Sequence, residues 1–405
     1  MIVFFAIIIV MFNWLQYKMY KTFLNPFTLI SLVYLFLIII NNYFAVNWYG
    51  FFKVKEITML YLLYFLFLVF LIGTLFYIFS KKSKTAHLDI KEYKSLILNR
   101  KKLILFLFYI GLIAKYVSLF QTIRTYGLDN LKGNAYGIFA HIGSFATILL
   151  PFVLIIYLQN KFKIQHILGF VLVLTNILIF GGKYIILITM VHIIVFYALI
   201  NKVPTKKIVK YGFIIVLLSF SVFIINYVLR PIIETGYYNE NMILDNLKFS
   251  FKHFFYYLLS PVIAMNDYFV NILDSSQGIP ILFTVPINIF KAIFRLGNYV
   301  MPIYSETVPI SYELGTNVAG LFSEAVHTGG WLIASLYVSS FFSFVYYFYL
   351  KMLNYSKNIS LVSYLLGVVM FLFFCNFITV SGVFLNIIYL TFIEIILRKK
   401  IVISK

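Results

Sequence analysis

Residues 57–80 read ITMLYLLYFLFLVFLIGTLFYIFS, 24 positions without one charged side chain. The hydrocarbon core of a bilayer is about 30 Å thick, and about 20 apolar residues of helix cross it. A helix at the surface of a water-soluble domain carries one apolar stripe and one polar face. This stretch is apolar all round, so it reads as a membrane span. Lys53 and Lys55 stand before it, and residues 81–102, with eight Lys and Arg, follow it. Outward in both directions the same alternation recurs, with candidate spans at 2–15, 27–46, 57–80, 103–121, 138–158, 166–180, 184–200, 211–229, 329–350, 361–377 and 380–397. The first is the shortest.

Composition agrees with that reading. The 405 residues are 62% hydrophobic and 11% charged, with a mean hydropathy of +0.96, values that belong to a multi-span membrane protein. The expected fold is an all-α polytopic membrane protein of about 11 transmembrane helices, within a range of about 10 to 13. Three regions follow from the polarity: a transmembrane bundle over 1–229, a large polar loop over 230–328, and C-terminal transmembrane helices over 329–405. The N-terminus has neither a basic leader nor a small-residue cleavage site, which favours a retained first helix.

The net charge of +20 is divided among the connections between apolar runs and forms no single basic face, so nucleic acid is not an expected partner. With connections sorted to alternate sides, 22 Lys and Arg fall on one side and 10 on the other, with Lys115 inside a span. By the positive-inside rule the richer side is cytoplasmic. The loop 230–328 is then extracytoplasmic and the C-terminus cytoplasmic. Eight of the 13 acidic residues lie in that loop: Glu234, Glu240, Asp245, Asp267, Asp274, Glu306, Glu313 and Glu324. Its apolar runs at 254–269 and 279–294 predict folded, partly interfacial helices, and either run is long enough to be a span instead.

Several function classes drop out. The chain has no G-x-x-x-x-G-K-[ST] or G-x-G-x-x-G motif, which argues against ATP-driven pumping by this chain alone. It has no paired Cys or His spacing of a metal site, so neither a metal nor another cofactor is expected. The one cysteine, Cys375, sits in an apolar run and reads as a small buried hydrophobe. Few ionisable residues lie inside spans, namely Lys115, His192 and Glu394, which is sparse for an ion-coupled transport path.

The candidate chemistry therefore concentrates at the outer face. Gly181 and Gly182 form a tight hairpin between two spans and hold Lys183 at the membrane surface. A lipid-linked phosphate would meet it there, and an ordinary snorkelling lysine fits the same position. Arg230 emerges directly after a span and before Pro231, and Arg295 sits in the apolar-aromatic context F-R-L-G-N-Y. With Arg124 these are the outward arginines, and arginine suits planar, bidentate phosphate recognition. Each is also explained as a boundary anchor. On the approach to the ninth span stand Asn317, Glu324 and His327. If 317–328 is helical, Glu324 and His327 share a face at i and i+3, and a carboxylate beside an imidazole there is a candidate general base. A helix cap with a solvated histidine accounts for the same residues. Glu234 is a competing base whose bland role is a salt bridge to Arg230.

Four local patterns then converge: Asn25-Pro26-Phe27-Thr28, Gly181-Gly182-Lys183, Tyr256-Tyr257-Leu258-Leu259-Ser260-Pro261, and Thr316-Asn317-Val318 before Gly329-Gly330. In these and in its layout the chain resembles the Wzy-type O-antigen and capsule polymerases, the oligosaccharide repeat-unit polymerases of bacterial envelopes. The resemblance implies a glycosyltransferase of the C-type membrane fold in the bacterial cytoplasmic membrane. Its donor and acceptor would be polyprenyl-diphosphate-linked oligosaccharides, and a flippase and a chain-length regulator would be its partners. The family places a basic residue, often arginine, after the small residues of the hairpin. Lys183 fills that place with charge but without the planar fork. Arg230 and Arg295 are the nearest matches to the family's outer-loop arginines. The cations would stabilise the departing diphosphate, Glu324 or His327, with Glu234 behind them, would take the acceptor proton, and Tyr256, Tyr257 and Asn317 would contact sugar. Two rivals share this layout: a flippase for the same lipid-linked units, and an acyltransferase or single-sugar transferase that modifies the glycan.

Overall fold

The computed structural model describes residues 1–80, 90–127, 137–159, 164–180, 183–224, 228, 232, 239–301 and 307–398. The described residues are about 82% helical, as a chain must be when no water is present in the bilayer core to satisfy its backbone. Each apolar run lies largely in a helix. The helices are α1 (Ile2–Tyr20), α2 (Pro26–Tyr49), α3 (Glu56–Phe79), α4 (Ile90–Asn99), α5 (Lys101–Tyr126) and α6 (Ile138–Gln159). There follow α7 (Ile164–Ile179), α8 (Lys183–Ile200), α9 (Thr205–Ile224), α10 (Glu240–Tyr268), α11 (Ser275–Leu282), α12 (Thr284–Ile293), α13 (Leu321–Tyr355), α14 (Ile359–Phe371) and α15 (Ser381–Arg398). Among the described residues α1, α2, α3, α5, α6, α13 and α15 are long and apolar enough to cross a membrane. The protein is an all-α polytopic membrane protein.

Local chemistry explains several boundaries. Asn25 caps α2 by accepting from the Thr28 N–H at 2.9 Å, and Pro26 takes the first helical position, where its missing N–H costs nothing. Asn239 and Asp274 cap α10 and α11 in the same manner. Glu56 stands in the first turn of α3, where the helix dipole favours a carboxylate.

Some boundaries differ from the sequence reading. The first helix is 19 residues long, not 14, and runs past residue 15 through the buried Gln16 and Tyr20. Asn13 Nδ2 donates to Ser31 Oγ at 2.9 Å and to the Ile9 carbonyl at 2.8 Å inside the bundle. The stretch 317–320 is not helical, and α13 starts only at Leu321. Residues 254–269 belong to a longer helix, α10. Residues 279–294 fall in α11 and α12, which meet at an 85° bend. A two-stranded antiparallel ladder, β1 (Val308–Pro309) with β2 (Gly315–Thr316), interrupts the otherwise helical chain.

The chain groups into two compact units, each discontinuous in sequence. The first comprises residues 1–81, 216–347 and 368–381. In it, α1, α2 and α3 pack through small residues and buried polar contacts: Tyr20 donates to the Gly73 carbonyl at 2.7 Å, and Gly73 lies flush against Tyr346. Phe65 stacks on Phe322 at 5.3 Å and on Trp331 at 5.8 Å. Asn266 of α10 fastens the extended segment before α3. Its Oδ1 accepts from Lys55 N–H at 2.9 Å and Thr58 Oγ at 2.8 Å, and its Nδ2 donates to the Lys53 carbonyl at 2.9 Å.

The second unit comprises residues 82–215, 348–367 and 382–405. Glycines bring its helices close, as at Gly111 against Ala146 and Gly143 against Lys115, the small-residue packing that membrane helices favour. His192 is fully buried beside Ser360 Oγ at 3.3 Å and edge-on to Tyr364, a packed polar residue. Helix α4 arises from the basic stretch 81–102, which offered no span; it is amphipathic and buries Tyr93 and Ile97.

Candidate functional site

The site is built around the N-terminal turns of α13 in the first unit. Leu321 N–H donates to the Leu372 carbonyl at 2.8 Å, and a side chain at Gly320 would strike Phe373 O at 2.5 Å and Tyr34 Oη at 2.7 Å. The helix start is therefore seated directly on the turn after α14. That seat brings Glu324, 4% exposed, beside Asn376. The Asn376 side chain and its backbone N–H are the polar neighbours of the carboxyl, and Cys375 and Tyr337 lie close enough to feel its charge. Asn376 approaches too loosely for a formed bond: Glu324 Oε1 and Asn376 Nδ2 are both buried without a hydrogen-bond partner. A buried acceptor and a buried donor left open beside each other are a costly arrangement.

One turn on, His327 is equally buried. Its Nδ1 is bonded to the Asn271 carbonyl, its own carbonyl accepts from Leu273 N–H at 2.7 Å, and its ring stands edge-on to Tyr268 at 4.8 Å. A carbonyl only accepts, so Nδ1 carries the hydrogen and the neutral ring has its lone pair on Nε2. Glu324 and His327 thus keep the i, i+3 relation, but one faces the turn after α14 and the other the segment before α11. That segment is held by Asp274, whose carboxyl lies below the usual range because the Ser276 N–H and hydroxyl both donate to it. Gly278 of α11 packs on Thr328 so closely that a side chain there would overlap the Thr328 carbonyl. Gly330 then breaks α13 with φ 68° and ψ 174°, a conformation essentially confined to glycine.

The aromatic residues of α10 border the same region. Tyr256 donates its hydroxyl to the Gly315 carbonyl, and Phe249, His253 and Tyr256 stack in a column. Tyr257 packs on Phe374 at 6.3 Å, two residues before Asn376. Asn317 is exposed on the segment after β2, whose Thr316 donates to Ser260 Oγ at 3.3 Å. Tyr256, Tyr257, Glu324 and His327 therefore lie on neighbouring segments of the first unit, with Asn317 exposed beside them on the segment after β2.

Of the four candidate cations, Arg295 and Arg124 have described side chains. Arg295 is exposed just after α12, with φ 54° and no ion pair among the described residues. Its loop is closed by Asn288 on Val300 at 2.7 and 2.8 Å. Arg124 is exposed in the last turn of α5, in the second unit, where a cation complements the helix C-terminus. Lys183 begins α8; its side chain lies outside the described residues, as do Arg230, Glu234 and the pair Gly181-Gly182. Among the described residues no three His, Cys, Asp or Glu side chains converge to hold a metal ion.

Sequence reasoning did not single out Asn376, Tyr337, Asn271 or Gly278. Asn376 had a signal, a lone amide in an apolar run. Asn271 contributes only its carbonyl, which no residue type betrays. Comparison of the chain with protein-family models, curated proteins and solved structures finds no match.

Chemically, the region offers a buried carboxyl with one open oxygen, an imidazole oriented to use Nε2, and a tyrosine-lined border. Such a set can accept a proton from a hydroxyl and hold a polar ring against aromatic faces.

Proposed function

We propose that the protein is a membrane glycosyltransferase that polymerises polyprenyl-diphosphate-linked oligosaccharide repeat units at the outer face of the bacterial cytoplasmic membrane. The observation that carries this reading is the buried pair Glu324 and His327 on consecutive turns at the start of α13, bordered by Tyr256, Tyr257 and Asn317. In this reading the eleven apolar runs all cross the bilayer, in a layout like that of C-type glycosyltransferases, and residues 230–328 face away from the cytoplasm. The acceptor hydroxyl attacks the anomeric carbon of the donor. Its proton passes to Glu324 or His327 as the new glycosidic bond forms and the bond to the diphosphate breaks. The diphosphate leaves with the electron pair, its charge met by Arg295 with Arg230.

Deletion of the gene tests this directly. A strain lacking the protein should carry a single repeat unit where the parent shows a ladder of chain lengths. An unchanged ladder overturns the proposal, and loss of even the single unit from the cell surface, with transport of purified lipid-linked units into vesicles, favours a flippase instead. Cysteine labelling at 240 and 310 tests the topology: both positions should react with an impermeant reagent in intact cells.

A further inference from the structure

The second unit contains a separate pocket that the reading above does not use. The C-terminal ends of α13 and α15 and the turn into α14 enclose about 260 Å³ between Lys351, Tyr355, Lys357, Asn358, Glu394 and Arg398. Two spans end here, so the pocket sits at the depth where a helix leaves the hydrocarbon. Its polarity is one-sided. Among the described residues Glu394 is the lone acidic one in the lining; it is 1% exposed, and its Oε1 already accepts from Tyr93 Oη at 2.6 Å and Ser360 N–H at 2.9 Å. Its Oε2 faces Arg398 Nη2 at 3.7 Å. Among the described lining residues, one carboxylate thus stands with three cations, Lys351, Lys357 and Arg398. Arg398 is held in place, with Nη2 donating to the Ser356 carbonyl at 3.2 Å, and its Nε is buried with no hydrogen-bond partner. Ser356 and Asn358, at φ 51° and 60°, are both left-handed. They flank Lys357 and lift it onto the rim, where it is exposed.

We propose that this pocket binds a phosphate group bearing net negative charge, presented by the headgroup of an anionic phospholipid. A partly exposed guanidinium, two lysine ammonium groups and a location at the end of two spans are the features that headgroup recognition between membrane helices uses. A zwitterionic headgroup brings its own cation, which the surplus of positive charge opposes.

Native mass spectrometry of the full chain in detergent, titrated with phosphatidylglycerol, phosphatidylcholine or inorganic phosphate, tests the site. Phosphatidylglycerol should bind and phosphatidylcholine should not. Each lysine at an anionic surface contributes about fivefold in affinity, so K351A/K357A should weaken phosphatidylglycerol about 30-fold. K357A alone, at an exposed position that cannot unfold the chain by cavity formation, should weaken it about fivefold. Binding of inorganic phosphate without phosphatidylglycerol, lost in the same variants, would keep the phosphate site and name a soluble source. Equal binding of both lipids, or phosphatidylglycerol affinity unchanged in K351A/K357A and K357A, overturns the proposal.

Discussion

Replacing Gly278 with alanine should disturb the site from a distance. A Cβ at that position would overlap the Thr328 carbonyl oxygen and lie 2.7 Å from its carbonyl carbon, where ordinary contact begins at 3.4 Å. The obstacle is backbone, which cannot rotate away, so α11 must retreat from α13 by about 1 Å. The Leu273 N–H to His327 carbonyl bond, 2.7 Å long, would then stretch past hydrogen-bonding range, and the Asn271 carbonyl would withdraw from His327 Nδ1. Overpacking costs about 1–3 kcal/mol and each of the two lost bonds about 1 kcal/mol, so the variant should lose about 3–5 kcal/mol and melt on the order of 5 °C lower. A displacement of this size at a catalytic imidazole costs on the order of 100-fold in rate. Thermal unfolding of detergent-purified protein followed by tryptophan fluorescence, and the glycan ladder of a complemented deletion strain, measure the two effects. Gly297→Ala is the control: nothing lies within 4 Å of its Cβ position, and it should fall within about 0.5 kcal/mol of the wild type. If Gly278→Ala melts and elongates glycan like Gly297→Ala, α11 is not seated on Thr328 and the argument for a positioned His327 fails.

Glu324→Gln keeps the shape of the side chain and removes its basicity, so chain elongation should fall by about 10²–10⁴ while membrane abundance stays normal. His327→Ala should do the same, and a full ladder in both variants would mean that neither residue is the base. Asn266→Ala deletes three hydrogen bonds to Lys53, Lys55 and Thr58 and should cost about 2–4 kcal/mol; Asn266→Asp, which keeps the acceptor half, should lie between it and the wild type in the same melting assay. Arg230→Ala should leave single repeat units with protein abundance unchanged, and an intact ladder would remove Arg230 from the diphosphate site.

How much of the site was legible in the sequence varies with the kind of residue. Glu324 and His327 stood out as an i, i+3 carboxylate–imidazole pair on the approach to a span; their burial, and the different segments they face, are set by tertiary packing. Tyr256 and Tyr257 stood out only through a resemblance, and packing gives them physical roles: one holds the Gly315 carbonyl, the other covers Phe374. The Asn25-Pro26-Phe27-Thr28 pattern has a plain structural account as a helix cap. Arg124 was grouped with the other outward arginines by side of the membrane alone, a criterion blind to the two units into which the chain divides.

The all-α, multi-span character of the chain was legible in sequence alone, because lipid imposes the same two local demands on every span: enough apolar length, and backbone bonds closed within the segment. Both can be read residue by residue. Which polar groups meet was decided by tertiary structure. Glu324 finds Asn376 across 52 positions, and His327 finds the carbonyl of Asn271 across 56. Gly278 matters through the backbone it touches. Contacts of this kind depend on how helices distant in sequence dock, and a backbone carbonyl is the same atom in every residue type, so no reading of side chains reveals it.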